Sequence, residues 1–517
     1  MMKNKTAGLL AAVAAMGCVA FAEDAAENIP ATSAWNMNAL KFTYAPEFDV
    51  PPVEGAHHYV MKVYDGSDAT PSLRFETPHV SLEKLWDNLK DGRIIVTVEA
   101  QHEPWAVTRP LARWQRVFVK TPKFKEGSYA PAARSYAEAA RLGGEYLLKK
   151  PALAYLREHG RPDPAYTLNH YPTKMYSATI CAMVDILKSA DADDAAKALA
   201  RKTADASLEY LLSIELKDDT AFPYWTPTYI DDKAVAEGRR ENLLVHPAEE
   251  GMAYLALYGV THDERLPMRA KAIAEHYLRL QGEDGTWPVK VYEKSGKPVA
   301  ANRLQPNKAI PFLEAMYEFT KDERYRRSAD RAFAFFERGP LVDWNWEGQF
   351  EDQSITAKYV NLTKHPACWT AGRLLAKWPD DPHRVAQARA ILRYVEDQFV
   401  FWETRVKPYN MYNFACSHNW VTPCVVEQYH YYIPVDASAA VVIRAYLALW
   451  RATGDREALA KARALGDAMT RAQKPDGRIP TIWCDGWCSG KDETSDWINC
   501  TIHSLAVLRE LAKEDGK

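Results

Sequence analysis

The stretch that decides the fold is AYLALY (253–258) followed by THDER (261–265), an apolar run and then a short polar turn. It recurs twice along the chain, as FLEAMY (312–317) with TKDER (320–324) and as AYLALW (445–450) with TGDR (453–456). Each copy predicts an apolar helix, a turn and then a more amphipathic helix. The first and third copies continue into QGEDGTWP (281–288) and QKPDGRIP (473–480). A helical hairpin that recurs at this size predicts stacked helix pairs.

A stack of helix pairs can stay open or close into a ring. The apolar first helices favour the ring, because an inner helix is covered on most sides while an outer helix needs only one apolar stripe. The Asp-Gly-x-x-Pro ends and the Thr-x-Asp-Glu-Arg turns resemble those of secreted (α/α)-toroid enzymes that act on polysaccharides, the alginate and glucuronan lyase type. We therefore expect a mainly α protein, with an (α/α) toroid of helical hairpins over residues 129–517.

Residues 38–120 carry a different pattern. Short β-branched and aromatic runs such as HYVMKVY (58–64) and RIIVTVE (93–99) are separated by Pro-rich and Asp-Gly turns, which predicts a small β-sandwich. The segment resembles a fibronectin type III-like module in the order of Pro46, Phe48, Gly55, Ala56, Tyr59 and Val63. We expect this domain to be a spacer or lid on the toroid, with carbohydrate binding as the alternative.

Residues 1–22 have the pattern of a secretory signal peptide. Two lysines precede an apolar run (7–15), and a small-residue site ends at Ala22. Cleavage after Ala22 predicts a secreted or periplasmic protein, while anchoring as a lipoprotein at Cys18 is the alternative. After the signal, no stretch of the sequence reaches the roughly 20 apolar residues that a membrane-spanning helix needs.

The net charge and the spacing of the cysteines limit the ligands that the protein could bind. A net charge of −3 over 517 residues argues against nucleic-acid binding. In an oxidising compartment Cys416 with Cys424, or Cys484 with Cys488, could close a loop. The cysteines lack the paired spacing of a zinc site, and we expect neither a metal nor a cofactor.

The links between helix pairs are where a site is expected. In a ring of pairs the short turn within each pair lies at one end, and the longer link to the next inner helix lies at the other, so the links share one mouth. These links are rich in aromatic, amide and histidine side chains. Histidines from separate repeats lie in or just after them, namely His170, His246, His365, His418 and His430. The links should together form one binding site.

A β-eliminating lyase can be built from this inventory. Such an enzyme neutralises the carboxylate of a uronic acid, removes the C5 proton with a base such as Tyr or His, and protonates the leaving oxygen. The Asn169-His170 pair resembles the Asn-His pair of toroid alginate and glucuronan lyases. The resemblance implies that Asn169, Arg239 and His246 hold the carboxylate while a tyrosine is the base or acid. The catalytic candidates are Asn169, His170, Tyr229, His246, Tyr292, His418 and Tyr431.

The substrate-binding candidates combine charge, carboxylates and aromatic faces that could stack on sugar rings. They are Arg239, Arg303, Trp225, Trp346, Glu347, Glu427 and His430. The competing hypothesis is a glycoside hydrolase with two carboxylates as acid and base or nucleophile, for which Glu347 and Glu427 are the best candidates. A non-catalytic glycan-binding protein would explain the aromatic residues but not the repeated histidines.

Positive charge in the links favours the lyase. Lysines and arginines concentrate around the links although the chain as a whole is acidic, and such a rim would steer an anionic polymer into the mouth. The sequence therefore predicts a secreted enzyme that cleaves a uronic-acid polysaccharide similar to alginate or glucuronan, with the anionic polysaccharide as its partner and the hydrolase as the alternative.

Overall fold

The computed structural model describes residues 27–28, 36, 38–102, 109–230, 240–348, 357–403, 419–484 and 496–516. The strands are β1 (Glu27–Asn28), β2 (Lys41–Phe42), β3 (Glu47–Asp49), β4 (His58–Tyr64), β5 (Ser72–Phe75), β6 (His79–Ser81), β7 (Gly92–Gln101), β8 (Ala112–Lys120), β9 (Glu241–Leu243), β10 (Lys290–Tyr292), β11 (Val400–Phe401) and β12 (Cys424–Val425). The predicted signal peptide, and Cys416 and Cys488 of the two predicted disulfides, lie outside the described residues.

The helices occupy most of the chain after the first eight strands. They are α1 (Glu83–Trp86), α2 (Tyr136–Lys149), α3 (Pro151–His159), α4 (Pro172–Lys188), α5 (Asp194–Ser213), α6 (His246–Thr261), α7 (Arg265–Leu280), α8 (Ala309–Thr320), α9 (Glu323–Arg338), α10 (Pro340–Asp343), α11 (His365–Lys377), α12 (Pro382–Phe399), α13 (Asp436–Thr453), α14 (Arg456–Ala472) and α15 (Ile498–Asp515). None of these helices is both long and apolar enough to cross a lipid bilayer.

The helices form a closed ring of pairs, which confirms the (α/α) toroid. The inner helices α4, α6, α8, α11 and α13 pack on the outer helices α5, α7, α9, α12 and α14 that follow them. The last inner helix, α15, packs on α2, which begins the toroid, and on both α13 and α4. Between α8 and α11, Arg373 donates two hydrogen bonds to the carboxylate of Glu314 at 2.9 and 2.8 Å. The two ends of the helical region therefore complete the ring together.

The repeated Gln-x-x-Asp-Gly stretch is a clamp between neighbouring outer helices. Gln281 donates to the carbonyl oxygen of Gly285 at 2.7 Å and to that of Ser328 in α9 at 2.9 Å. Gly285 has a φ of +91°, and a Cβ there would lie 2.3 Å from the carbonyl oxygen of Arg331. Only glycine fits this close approach. Gln473 makes the equivalent contacts with α2.

The long links lie at the end of the toroid where the inner helices begin. Within helix pairs the turns are short, such as 262–264 and 321–322, whereas the links between pairs extend over 281–308, 339–364 and 473–497. The N-terminal ends of the inner helices, with their unpaired backbone N–H groups, therefore point to the mouth that the links surround. This is the connectivity that the repeats predict, and it fixes where a site can form.

The N-terminal strands form two sheets. One has six strands in the order β1-β8-β7-β4-β5, with β2 also paired to β8, and the other consists of β3 and β6. Phe48 of β3 lies 6.2 Å, between ring centroids, from both Phe42 of β2 and Phe118 of β8. The small sheet thus packs on the large one through a core of aromatic side chains.

Buried polar contacts attach these sheets to the toroid beside the mouth. Lys41 is fully buried, and its Nζ donates to Thr43 Oγ1 at 2.8 Å and to the carbonyl oxygen of Glu396 in α12 at 3.0 Å. The backbone N–H of Thr43 donates to Asp397 Oδ1 at 2.8 Å. Burial lowers the pKa of Lys41 to about 7, although Asp397 and Glu396 oppose that shift. The contacts lie at the C-terminal end of α12, where the outer helix reaches the mouth.

Candidate active site

A cavity of about 190 Å³ opens among the first turns of the inner helices. Four of these helices or their leading residues contribute to it: α4, α6, α8 and α15. Its polar lining consists of Lys174, Ser177, Glu249, Lys308, Asn499 and His503, and Cys181 lies deeper in its wall. Because it lies on the ring axis side of the mouth, this cavity is the place where residues from distant repeats meet.

Glu249 links a histidine and a lysine at this cavity. It follows His246 by three residues, so both side chains lie on one face of α6. His246 Nδ1 is 3.1 Å from Glu249 Oε2, and Lys308 Nζ is 2.8 Å from Oε1. Burial raises the pKa of Glu249, but the charge of Lys308 and the hydrogen bond with His246 outweigh it, and the pKa lies well below its ordinary value. Glu249 is therefore an ionised carboxylate.

The ionised carboxylate decides which nitrogen of His246 can accept a proton. A carboxylate only accepts hydrogen bonds, so Nδ1 of His246 carries a hydrogen in this contact and Nε2 is the nitrogen left to exchange a proton. Nε2 is buried, and within the described residues it has no hydrogen-bond partner. A histidine oriented by a carboxylate in this way has the arrangement of a general base. Of the sequence candidates, His246 is the one that the structure pairs with a carboxylate of the cavity lining. His246 itself is 5% exposed and stands behind Glu249 rather than in the lining.

Two further histidines are held neutral around the same cavity. His365 begins α11 as His246 begins α6, and each is followed by a proline. Burial, and then the charge of Lys308, lowers the pKa of His503 to about 3. Burial followed by the charges of Lys364 and Lys308 lowers the pKa of His365 well below its ordinary value. Neutral imidazoles can both donate and accept hydrogen bonds, which suits recognition of sugar hydroxyls.

Lys364 and Glu427 are in contact beside His365. Lys364 is fully buried immediately before α11, and its Nζ donates to the carbonyl oxygen of Glu427. Burial lowers the pKa of Lys364 to about 7, although the charge of Glu427 opposes that shift. The carbonyl oxygen of Glu427 also accepts from Thr363 Oγ1 at 2.9 Å. Glu427 therefore belongs to a packed link beside His365.

The two residues of the predicted Asn169-His170 pair have different environments in the structure. The Oδ1 atom of Asn169 accepts from Tyr176 at 2.6 Å, and its Nδ2 donates to the carbonyl oxygen of Asp163. One end of this amide is used by its own link and the other by α4, which gives Asn169 a structural role, and its predicted catalytic role stays a prediction. His170 is exposed, and its ring centroid lies 6.2 Å from that of Tyr229, which is 39% exposed.

Other predicted residues lie away from the cavity. Tyr292 is 37% exposed on the two-stranded antiparallel sheet of β9 and β10, where it pairs with Glu241. Arg303 donates to Asp284 Oδ2 at 2.7 Å, within the turn that follows α7. Among the described residues, the lining of the cavity includes neither Tyr292 nor Arg303.

Two predicted sugar-stacking tryptophans are core residues. Trp225 and Trp346 are both 0% exposed. Trp225 stacks on Phe222 with ring centroids 4.6 Å apart, and Trp346 lies 6.1 Å from Phe336. The prediction for these two residues is wrong because their links fold back over the helix pairs and bury the indole faces.

The remaining candidates lie in the links. Glu347 is hydrogen-bonded at 3.5 and 3.4 Å by the side-chain amides of Asn302 and Asn345, and burial raises its pKa to about 7. His430 donates its backbone N–H to Asn361 Oδ1 at 2.9 Å, and Tyr431 donates its backbone N–H to the carbonyl oxygen of Gln428 at 3.2 Å. Arg239 and His418 lie outside the described residues.

Sequence reasoning missed Glu249 and His503, which lie on inner helices rather than in links. Lys308, directly before α8, belongs to the positive charge that the sequence places around the links. The i, i+3 spacing of His246 and Glu249 at the start of an apolar helix was the signal that could have found Glu249.

The fold and cavity define an (α/α)-toroid protein with a polar site at the mouth of the ring. No protein-family model matches the sequence, and neither does any curated protein. Solved structures with a similar fold include D-mannose isomerase, with a TM-score of 0.53 and 13% identity over 74% of this chain and 100% of that chain.

Two more likenesses belong to the same fold. Cellobiose 2-epimerase from Spirochaeta thermophila DSM 6192 matches with a TM-score of 0.51 and 12% identity, over 74% of this chain and 98% of that chain. A family 76 glycoside hydrolase from a bovine Bacteroides thetaiotaomicron strain matches with a TM-score of 0.47 and 10% identity, over 92% and 98% of the two chains. At this identity the likeness to the isomerase and the epimerase, whose TM-scores exceed 0.5, shows the toroid fold alone. It gives no support to the fibronectin type III-like module, which stays a prediction.

Proposed function

We propose that the protein is a carbohydrate-active enzyme, and specifically a lyase that cleaves a uronic-acid-containing polysaccharide by β-elimination. The observation that carries this proposal is the His246–Glu249 pair beside the lysines of the cavity, Lys174 and Lys308. The pair supplies a base, and the ammonium groups supply the charge that a uronate carboxylate needs. A toroid shared with enzymes named for sugar substrates supports the carbohydrate part by analogy of fold.

The reaction needs a base and a group that stabilises negative charge on the carboxylate. His246 Nε2 removes the C5 proton, while lysine ammonium groups next to the carboxylate stabilise the charge that develops there. The electron pair of the C5–H bond forms the C4–C5 double bond as the C4–O4 bond breaks. The imidazolium formed on His246 then returns the proton to the leaving O4 oxygen, and Glu249 stabilises that imidazolium while it exists.

The test is product formation from alginate, glucuronan and pectin by the full-length protein. A lyase produces an unsaturated sugar that absorbs in the ultraviolet, together with new reducing ends. His246→Ala should abolish both signals with little change in thermal stability. His262→Asn is the matched control, because His262 is an exposed histidine at the opposite end of the same helix. Full ultraviolet signal from His246→Ala would refute the role of this histidine.

A glycoside hydrolase is the second candidate, and Glu347 is the observation that favours it. A carboxyl group whose pKa is raised to about 7 stays protonated near neutral pH and can act as a general acid. Glu427, in the neighbouring link, would then be the base or nucleophile. New reducing ends without ultraviolet absorbance would identify this reaction, and Glu347→Gln would abolish it.

We also propose that residues 38–120 form an accessory domain at the rim of the mouth. The contacts of Lys41 and Thr43 with α12 support that position. Secretion after cleavage of the predicted signal peptide remains part of the same proposal, and mass measurement of the exported protein would test it.

A further inference from the structure

We infer that Tyr171, Tyr229 and Trp497, together with Lys174, form a subsite for a second, negatively charged sugar residue directly outside the cavity. The inference rests on the proposed carbohydrate function and adds to it where the neighbouring residue of the polymer binds. Tyr171, Tyr229 and Trp497 take no part in the proposed chemistry of proton removal, whereas Lys174 lines the cavity and serves both sites. We call these four residues the aromatic platform.

The platform brings together residues from three different links. The rings of Tyr171 and Trp497 are stacked, with centroids 6.1 Å apart and an interplanar angle of 27°. The ring of Tyr229 lies 5.3 Å from that of Tyr171. Tyr171 precedes α4, Trp497 precedes α15 and Tyr229 lies in the link after α5. Such a cluster at the helix starts extends one continuous aromatic surface around the mouth.

The aromatic side chains of the platform differ from the core tryptophans in their exposure to solvent. Tyr229 is 39% exposed and Tyr171 and Trp497 are partly exposed, whereas Trp225 and Trp346 are completely buried. A cluster of aromatic side chains that stays partly exposed at the rim of a polar cavity is a candidate ligand surface. The apolar face of a pyranose ring is a ligand of the right shape and polarity, because it stacks on aromatic rings while its hydroxyl groups stay hydrated.

Lys174 connects the platform to the cavity and defines the charge of the ligand. Its Nζ lies 4.8 Å from the ring centroid of Trp497 and 5.5 Å from that of Tyr171. The same lysine lines the cavity, as does Asn499, two residues after Trp497. A sugar on the platform is therefore one glycosidic bond from a sugar in the cavity, and its carboxylate can reach the Lys174 ammonium group.

The experiment is calorimetric titration of the full-length His246→Ala protein, which should not consume the ligand. The probes are glucuronic acid and glucuronan oligosaccharides of two to six residues, with cello-oligosaccharides as the neutral counterpart. Adding Trp497→Ala should raise the Kd of the oligosaccharides about tenfold, the value of one aromatic stacking contact. The Kd of the monosaccharide should stay unchanged, because it needs only the cavity.

Three further variants make the result specific. Trp497→Phe keeps a flat ring and should restore most of the oligosaccharide affinity, which separates stacking from misfolding. Phe319→Ala removes a 47% exposed ring at the far end of the toroid and should change nothing. Lys174→Gln should weaken binding of the glucuronan oligosaccharides so that they no longer bind better than cello-oligosaccharides.

The subsite is overturned if Trp497→Ala weakens monosaccharide and oligosaccharide equally, if it weakens neither, or if no glucuronan oligosaccharide binds. Failure of the proposed function shows itself differently. In that case no ultraviolet-absorbing product forms in the wild-type protein, while the contrast between oligosaccharide and monosaccharide binding remains measurable in the titration.

Discussion

Replacing Glu249 by glutamine should remove most of the activity while leaving the fold intact. Glutamine has the same size and can still contact His246, but it carries no charge to stabilise the imidazolium that forms when His246 takes a proton. It can also donate to Nδ1 and so leave the hydrogen on the wrong nitrogen. The change therefore tests the step on which the proposed base depends.

The distance between the two side chains sets the size of the effect. Opposite charges 3.1 Å apart interact by about 5 kcal/mol at an effective dielectric constant of about 20. The Glu249 side chain is 30% exposed, and solvent reduces the interaction, so we expect a loss of about 3 kcal/mol. That corresponds to a fall in kcat of about 10²-fold, with KM changed far less because the effect arises in the transition state.

The assay is the initial rate of ultraviolet absorbance on glucuronan, with thermal unfolding measured in parallel. The lost ion pair with Lys308 is partly exposed on both sides, so the free energy of unfolding should fall by only about 1–2 kcal/mol. Glu264→Gln is the matched control, because Glu264 stands in the turn after the same helix. A Glu249→Gln enzyme with kcat within threefold of the wild type would refute the role of Glu249 in orienting the base.

Three other changes test the fold, the domain junction and the competing reaction. Gly251→Ala should lower Tm by a few degrees, since its Cβ would lie 2.2 Å from a phenylalanine ring of α8 and overpacking costs about 1–3 kcal/mol. Gly259→Ala, on the same helix in open space, should raise Tm, and equal falls would refute this explanation. Lys41 has a pKa lowered to about 7 from 10.5, so between these values the unfolded chain binds more protons and stability should rise with pH. Lys41→Met should lose that rise in Tm while the surface variant Lys62→Met keeps it, and parallel curves for all three proteins would contradict the assignment. Glu347→Gln should leave elimination nearly unchanged, because the proposed lyase makes no use of that carboxyl. Loss of the ultraviolet-absorbing product would contradict this prediction, and loss of new reducing ends that form without that product would identify the hydrolase.

The sequence was sufficient for the toroid and for the location of its mouth. The recurring apolar helix and Thr-x-Asp-Glu-Arg turn predict helix pairs, and the Gln-x-x-Asp-Gly stretch proved to be the clamp between outer helices at Gln281 and Gly285. These features are local, so they can be read from spacing alone. His246 was found in the same way, because it stands at the start of a recognisable inner helix.

The candidate site was harder to predict because exposure depends on tertiary packing. Trp225 looked like a sugar platform in its link, but the link folds over the helix pair and buries the ring. Asn169 matched a short motif, yet its amide is used by Tyr176 and Asp163. Conversely, Lys308 becomes important only when α8 is placed beside α6, which a one-dimensional pattern does not reveal.

Closure of the ring by its first and last helices has a consequence for biosynthesis. Tyr146 of α2 donates to Asp496 at 2.5 Å. The first helix of the toroid therefore cannot complete its packing until the ribosome has made a residue some 350 positions later. Two cavity residues, Asn499 and His503, come from that final helix. A nascent or truncated chain therefore lacks both the contacts that close the ring and part of the cavity lining. Such a chain should be inactive and should expose apolar inner helices to chaperones and proteases.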